Sequence, residues 1–127
     1  IEKARLYAKE REVFNRPIGK NQGVQFPIAK AYSKMRAAEL MLREAANLFD
    51  QGKNPGEAAN LAKLLCSEAS WEAAEVCMQT FGGFGFAQEY DVERKYREAR
   101  LYQVAPISTN LILSYIAEHV LDLPRSY

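Results

Sequence analysis

Through one stretch of the chain, apolar residues recur at alternating steps of four and three: Val24, Ile28, Ala31, Met35, Ala38, Leu42, Ala45 and Phe49. That spacing keeps one face of an α-helix apolar over many turns, and it excludes a strand, where apolar residues alternate with polar ones. A helix of this length does not hold its stripe in water alone, so partner helices must cover it. The pattern predicts a helix over 22–51. Pro27 falls in its first turns, where a missing N–H costs least, and Gly52 stands where a stop is expected.

The flanking segments read the same way. Residues 1–14 carry a charged helical pattern, and 14–23, with Pro17, Gly19 and Gly23, read as a turn or loop. Asn54 is placed to cap a further helix, with Pro55 at its first position and Glu57 completing the capping box. That helix is expected to run to about Phe81, with Ala58, Ala62, Leu65, Ala69, Ala73 and Val76 as its inner stripe. Gly82 and Gly83 stop it, and the following FGFAQEY reads as a loop. Asp91 is expected to cap a short helix over 92–104, and a last helix is expected over 108–122, with Pro124 beyond it. No segment alternates with period two, so no strand is expected. The prediction is an all-α chain folded as an antiparallel four-helix bundle, a single domain over 1–127. The sequence opens inside a helical pattern without a capping residue, which is expected of a piece of a longer protein.

Composition narrows the possible partners. Seventeen basic and sixteen acidic residues give a net charge of +1, which supplies no electrostatic footprint for nucleic acid or an acidic membrane. No apolar run approaches the ~20 residues that span a bilayer. Cys66 and Cys77 lie about three turns apart on one helix, too far for a bridge within it, and read as free thiols of a reducing compartment. With one histidine and two cysteines, no zinc site is expected.

Taken residue by residue, the chain offers no general base, nucleophile or metal cluster. Gly82-Gly83-Phe84-Gly85 follows a helix rather than a strand, so it is no dinucleotide fingerprint. It reads as a helix stop with left-handed glycines, or as glycines that let backbone approach a ligand. The run Glu93, Arg94, Lys95, Arg97, Glu98, Arg100 reads as a solvated face of ion pairs. His119 reads as a packed or surface histidine, and Trp71 as core or interface.

Two blocks and their spacing add a family resemblance. YAKEREVFNRPIGKNQGVQFPIA (7–29) holds Arg11-x-x-Phe14, with Gln22 eight residues after the phenylalanine. QTFGGFGFAQEYDVERKYREARLYQ (79–103) holds Gln-x-Phe-Gly-Gly-x-Gly-Phe and then Arg-x-Ala-Arg, with an alanine-rich run over 45–63 between the blocks. In that order these motifs resemble the C-terminal helical domain of the acyl-CoA dehydrogenase family. The resemblance implies a flavoenzyme with an N-terminal helical domain and a middle β-domain before this bundle. FAD would lie between domains and reach a neighbouring subunit. The reaction implied is α,β-desaturation of an acyl-CoA thioester, a proton leaving one carbon and a hydride passing to the flavin, with electrons delivered to an electron-transfer flavoprotein. A homotetramer built as a dimer of dimers, or a heteromer with a related subunit, is implied as well. So is a bacterial cytoplasm or a mitochondrial matrix.

Position by position, the resemblance implies that Arg11 meets the FAD pyrophosphate and Phe14 packs on the adenine end. It places Gln22 near the adenosine, and Gln79, Gly82 and Gly83 along the ADP moiety of a partner subunit's FAD. Ser108 and Asn110 fall where polar residues contact the flavin end. Two positions depart from the family pattern. Val13 stands where many members carry Thr or Ser. Pro106 stands where a large subgroup carries its catalytic glutamate, with Ile107 at the following glycine. Proline has neither a carboxylate to take a proton nor an N–H to polarise the thioester carbonyl. No catalytic residue is therefore assigned within the chain. Three readings stay open: a base before Ile1, as in the isovaleryl-CoA dehydrogenase-like subgroup; a non-catalytic subunit that keeps the FAD contacts; or another flavin reaction on the same fold.

Overall fold

The computed structural model describes residues 1–126. Five α-helices follow one another: α1 Glu2–Glu10, α2 Gln22–Asp50, α3 Gly56–Phe81, α4 Val92–Val104 and α5 Thr109–Tyr115. The long α3 is the centre of the bundle. The linker after α2 turns the chain back, so α2 and α3 run antiparallel, and α1, α4 and α5 also pack on α3. The all-α bundle is as expected.

Small residues set the packing. Ala31, Ala38 and Ala45 are the buried residues of α2, one every second turn, and Ala45 meets Ala58 and Ala62 of α3, with Met41 and Leu48 closing the cluster. Short side chains let the two backbones approach closely, so the contact gains dispersion along its whole length. At the other end of α3 a second cluster joins Ala4, Cys77, Phe81 and Val92, with Tyr7, Ile28 and Met78 against it. Cys66 and Cys77 are both free, and burial pushes both thiols up.

Several expectations need correction. The stripe of α2 is narrower than its spacing implied: Leu42 and Phe49 are 53% and 72% exposed, because α3 covers the alanine row and not the row beside it. Helix α1 ends at Glu10, not near residue 14. Two short strands follow where none was expected, β1 Glu12–Val13 and β2 Arg16–Pro17, paired antiparallel as Glu12 with Pro17 and Val13 with Arg16. Phe14 and Asn15 between them both have positive φ, 53° and 59°, the geometry of a tight type I′ hairpin turn. Two-residue strands are too short to leave a period-two signature.

Helix α3 begins one residue later than its capping pattern indicated. Pro55 is the capping residue, and Asn54 Oδ1 accepts from the Gly56 N–H at 2.9 Å. FGFAQEY is not an open loop but two successive 3₁₀ turns, Gly82–Phe86 and Gln88–Tyr90. Asp91 precedes α4 as expected, yet in left-handed conformation, with its carboxylate turned to Arg94 rather than to the helix N–H groups. The last helix is shorter than expected: α5 ends at Tyr115, and a π-helical turn covers Ile116–Val120. Of LYQVAPISTN, residues 101–104 complete α4, a cis Ala105–Pro106 bond follows, and Ser108 opens α5.

Candidate functional site

The site begins where α1 ends. Arg11 leaves helical conformation with ψ 118°, and two backbone hydrogen bonds hold it there. Its N–H donates to the Tyr7 carbonyl at 2.8 Å, and its carbonyl accepts from the Ile18 N–H at 2.8 Å on the returning side of the hairpin. The hairpin thus fixes the Arg11 backbone from both directions.

The end of α3 meets it. Tyr7 stacks on Phe81, ring centroids 4.0 Å apart and planes 18° off parallel, and Tyr90 packs edge-on against both rings. Gly82 then stops α3 with φ 58° and ψ −134°, a conformation that disfavours any side chain. Gly83 follows without positive φ, so only the first glycine of the pair is a conformational requirement. Between the two helix ends lies a hollow of about 490 Å³ whose wall includes Tyr7, Arg11, Val13, Gln79, Gly82, Gly83 and Phe84.

This hollow gathers four of the eight residues singled out in the sequence, Arg11, Gln79, Gly82 and Gly83. Its chemistry suits an extended anionic group. Arg11 offers a forked donor, and among the described residues no carboxylate lies in ion-pair range of it. Its guanidinium carbon instead lies 5.5 Å from the centre of the Phe84 ring. Gln79 is an exposed amide, and an added Cβ on Gly82 or Gly83 would meet nothing within 4 Å, so backbone is open to a ligand. Residues of this kind fit the diphosphate and adenosine of a dinucleotide such as FAD.

Phe14 and Gln22 do not line the hollow. Phe14 sits at the hairpin tip and is 94% exposed; Gln22 opens α2 and is exposed. Ser108 and Asn110 are elsewhere. They line a second hollow of about 340 Å³ with Glu68, Arg100, Gln103 and Thr109. Ser108 is already engaged as the cap of α5, its oxygen accepting from the Leu111 N–H at 3.4 Å. Pro106 is exposed at this end of the bundle. Tyr7 and Phe84 were not singled out in the sequence. Tyr7 carried a signal, since it precedes Arg11 by one helical turn on the same face.

Among the described residues no group of three His, Cys, Asp or Glu side chains is placed to hold a metal ion, and no helix is long and apolar enough to cross a membrane.

Comparison with known proteins identifies the family. The family model described as "Acyl-CoA dehydrogenase, C-terminal domain" matches residues 1–121. The acyl-CoA dehydrogenase FadE12 of Mycobacterium tuberculosis is 42% identical over 123 residues, covering 95% of this chain and 32% of that protein. Among solved structures, the glutaryl-coenzyme A dehydrogenase–glutaryl-CoA complex superposes with a TM-score of 0.92 at 33% identity, over 98% of this chain and 32% of that one. The FAD complex of PigA superposes with a TM-score of 0.89 at 30% identity, over 96% of this chain and 32% of that one. The chain therefore spans about a third of the length of the relatives it matches. On this evidence the chain belongs to the acyl-CoA dehydrogenase family of FAD-dependent oxidoreductases and carries that family's C-terminal domain over residues 1–121.

Proposed function

We propose that this domain holds the ADP end of FAD in an acyl-CoA dehydrogenase, and that the full-length protein desaturates an acyl-CoA thioester. The observation that carries the reading is the convergence of Arg11, Gln79, Gly82 and Gly83 on one hollow, from two segments far apart in the chain. When bound, the flavin supplies the hydride acceptor. Arg11 would clamp the pyrophosphate through its two-pronged donor. Gln79 would hydrogen-bond the nucleotide, and the open backbone at Gly82 and Gly83 would lie along it. Phe14 would pack on the adenine face. Its exposure and left-handed backbone are both unfavourable in the free domain, which is expected of a side chain displayed for a partner surface. Gln22 would reach the adenosine, and Ser108 and Asn110 would serve the flavin end from the second hollow.

In this reading the proton is taken by a residue outside these 127, because the position that carries the base in many relatives holds Pro106 here. Pro106 offers no carboxylate and no N–H at the position where many relatives carry their base. We place the base upstream of Ile1, on the helix that precedes this stretch, as the resemblance to the isovaleryl-CoA dehydrogenase-like subgroup implies. Electrons would pass to an electron-transfer flavoprotein, and a homotetramer or a heteromer with a related subunit would bring the hollow against a neighbour's FAD. Cytoplasm or mitochondrial matrix would suit the two free thiols.

Pro106 also favours a second reading, a subunit that keeps FAD but performs no desaturation. One experiment separates the two. Full-length protein is purified with its flavin and mixed anaerobically with acyl-CoAs of several chain lengths. Bleaching of the flavin by one of them supports the dehydrogenase. Yellow protein that none of them bleaches overturns the desaturation and leaves a cofactor-holding subunit or another flavin reaction on the same fold.

A further inference from the structure

Arg11 is unusual among the arginines of this chain in how it is held. Arg5 is paired with Glu2, Arg36 and Arg43 with Glu39, Arg94 with Asp91 and Glu98, and Arg97 with Glu93. Arg16 donates to Asn21. Arg100 lies over Trp71 at 5.5 Å, but its guanidinium also donates to Gln103 Oε1. Arg11 meets a ring and no carboxylate among the described residues.

The difference is chemical. A carboxylate partner occupies the N–H donors of a guanidinium and cancels its charge. An aromatic face attracts the cation through the ring quadrupole and leaves the in-plane donors free. The ring is itself braced: Phe84 packs on Tyr90 at 5.5 Å, Tyr90 on Phe81 at 5.4 Å, and Phe81 on Tyr7. Tyr7 in turn lies one turn before Arg11 on α1, and its carbonyl accepts the Arg11 N–H. Backbone and guanidinium of Arg11 are thus referred to the same aromatic cluster.

We infer that Phe84 is a positioning residue for cofactor binding, holding the Arg11 guanidinium over its ring so that the unspent donors face the hollow. The inference rests on the reading of Arg11 as a phosphate ligand and deepens it. Phe84 is 43% exposed, so its replacement leaves the core of the bundle intact.

The test uses the full-length holoenzyme, stripped of flavin and titrated with FAD, with the dissociation constant as readout. Phe84→Leu is expected to weaken FAD binding about fivefold. Phe84→Met, which fills similar volume without a ring, should do the same, and Phe84→Tyr should restore the wild-type value. In an Arg11→Gln background, Phe84→Leu should add no further loss. An unchanged constant for Phe84→Leu, an equal loss for Phe84→Tyr, or a full further loss in the Arg11→Gln background would each overturn the positioning role. If Arg11→Gln weakens binding and Phe84→Leu does not, Phe84 alone is wrongly assigned. If Arg11→Gln leaves FAD affinity unchanged, the reading of Arg11 falls and the role of Phe84 with it.

Discussion

Tyr7 and Phe81 stack with ring centroids 4.0 Å apart, and this pair joins the end of α1 to the end of α3. Arg11 follows one ring by a single turn and Gly82 follows the other directly, so the hollow depends on the contact. Phe81 is buried, and its truncation leaves a cavity that the neighbouring rings cannot fill. Phe81→Ala is expected to cost about 3–5 kcal/mol in chemical denaturation.

Two glycines, Gly19 in the 3₁₀ turn Ile18–Lys20 before α2 and Gly23 in the first turn of α2, should respond with opposite sign. A Cβ on Gly19 would stand 2.7 Å from the Ala8 carbonyl oxygen, a backbone atom of α1 that cannot swing aside. Gly19→Ala should destabilise by about 1–3 kcal/mol. A Cβ on Gly23 would meet nothing within 4 Å, and Gly23 lies within α2. Gly23→Ala should stabilise by about 0.5 kcal/mol through the smaller entropy of the unfolded chain. Thermal unfolding of the two variants beside the parent checks both signs.

Phe14 is expected to trade stability for binding. Its φ of 53° is rare for a bulky residue, and asparagine is among the residues that fit a type I′ turn. Phe14→Asn should raise stability by about 1 kcal/mol while weakening FAD binding by the full-length protein. Denaturation and flavin titration of the same variant read the two effects separately. A loss of stability would show that the exposed ring packs within the domain after all.

Much of the fold was legible because helical periodicity is a local signal. The apolar spacing of α2 and the alanine-rich stripe of α3 marked both as helices of one bundle. The sequence did not reveal which neighbouring row α3 would leave uncovered, so Leu42 and Phe49 were counted as core; that depends on where another helix lies in space. The hairpin escaped for another reason. Its strands are two residues each, and positive φ at Phe14 comes from the closed return between Arg11 and Ile18, not from Phe14's own preference. Of the site, the motif residues were legible one by one. Their division between two hollows was not, nor was the part played by Phe84, since neither leaves a spacing in the chain.

Asp91 supports a prediction in pH. Hydrogen bonds from Arg94 hold its carboxylate below the ordinary value of 3.8, with Lys3 and Lys95 adding to the effect. A depressed folded value means that the stabilisation is fully present above 3.8 and is lost as pH falls through the folded value. Asp91→Asn keeps a residue that tolerates the left-handed backbone and removes the charge. Its deficit in unfolding midpoint should therefore be constant near neutrality and should vanish in acid below that value. Unfolding midpoints measured across that range for both proteins give the comparison.

The claim that the hollow between α1 and α3 holds FAD is tested most directly by filling it. Gly83 lies on its wall, has no positive φ, and leaves room for a side chain that points into open space. Gly83→Leu in the full-length protein should unfold at the parental midpoint and yet bind FAD at least about tenfold more weakly, through lost backbone approach and a blocked wall. Parental FAD affinity at the parental unfolding midpoint would contradict the assignment of this hollow to the cofactor.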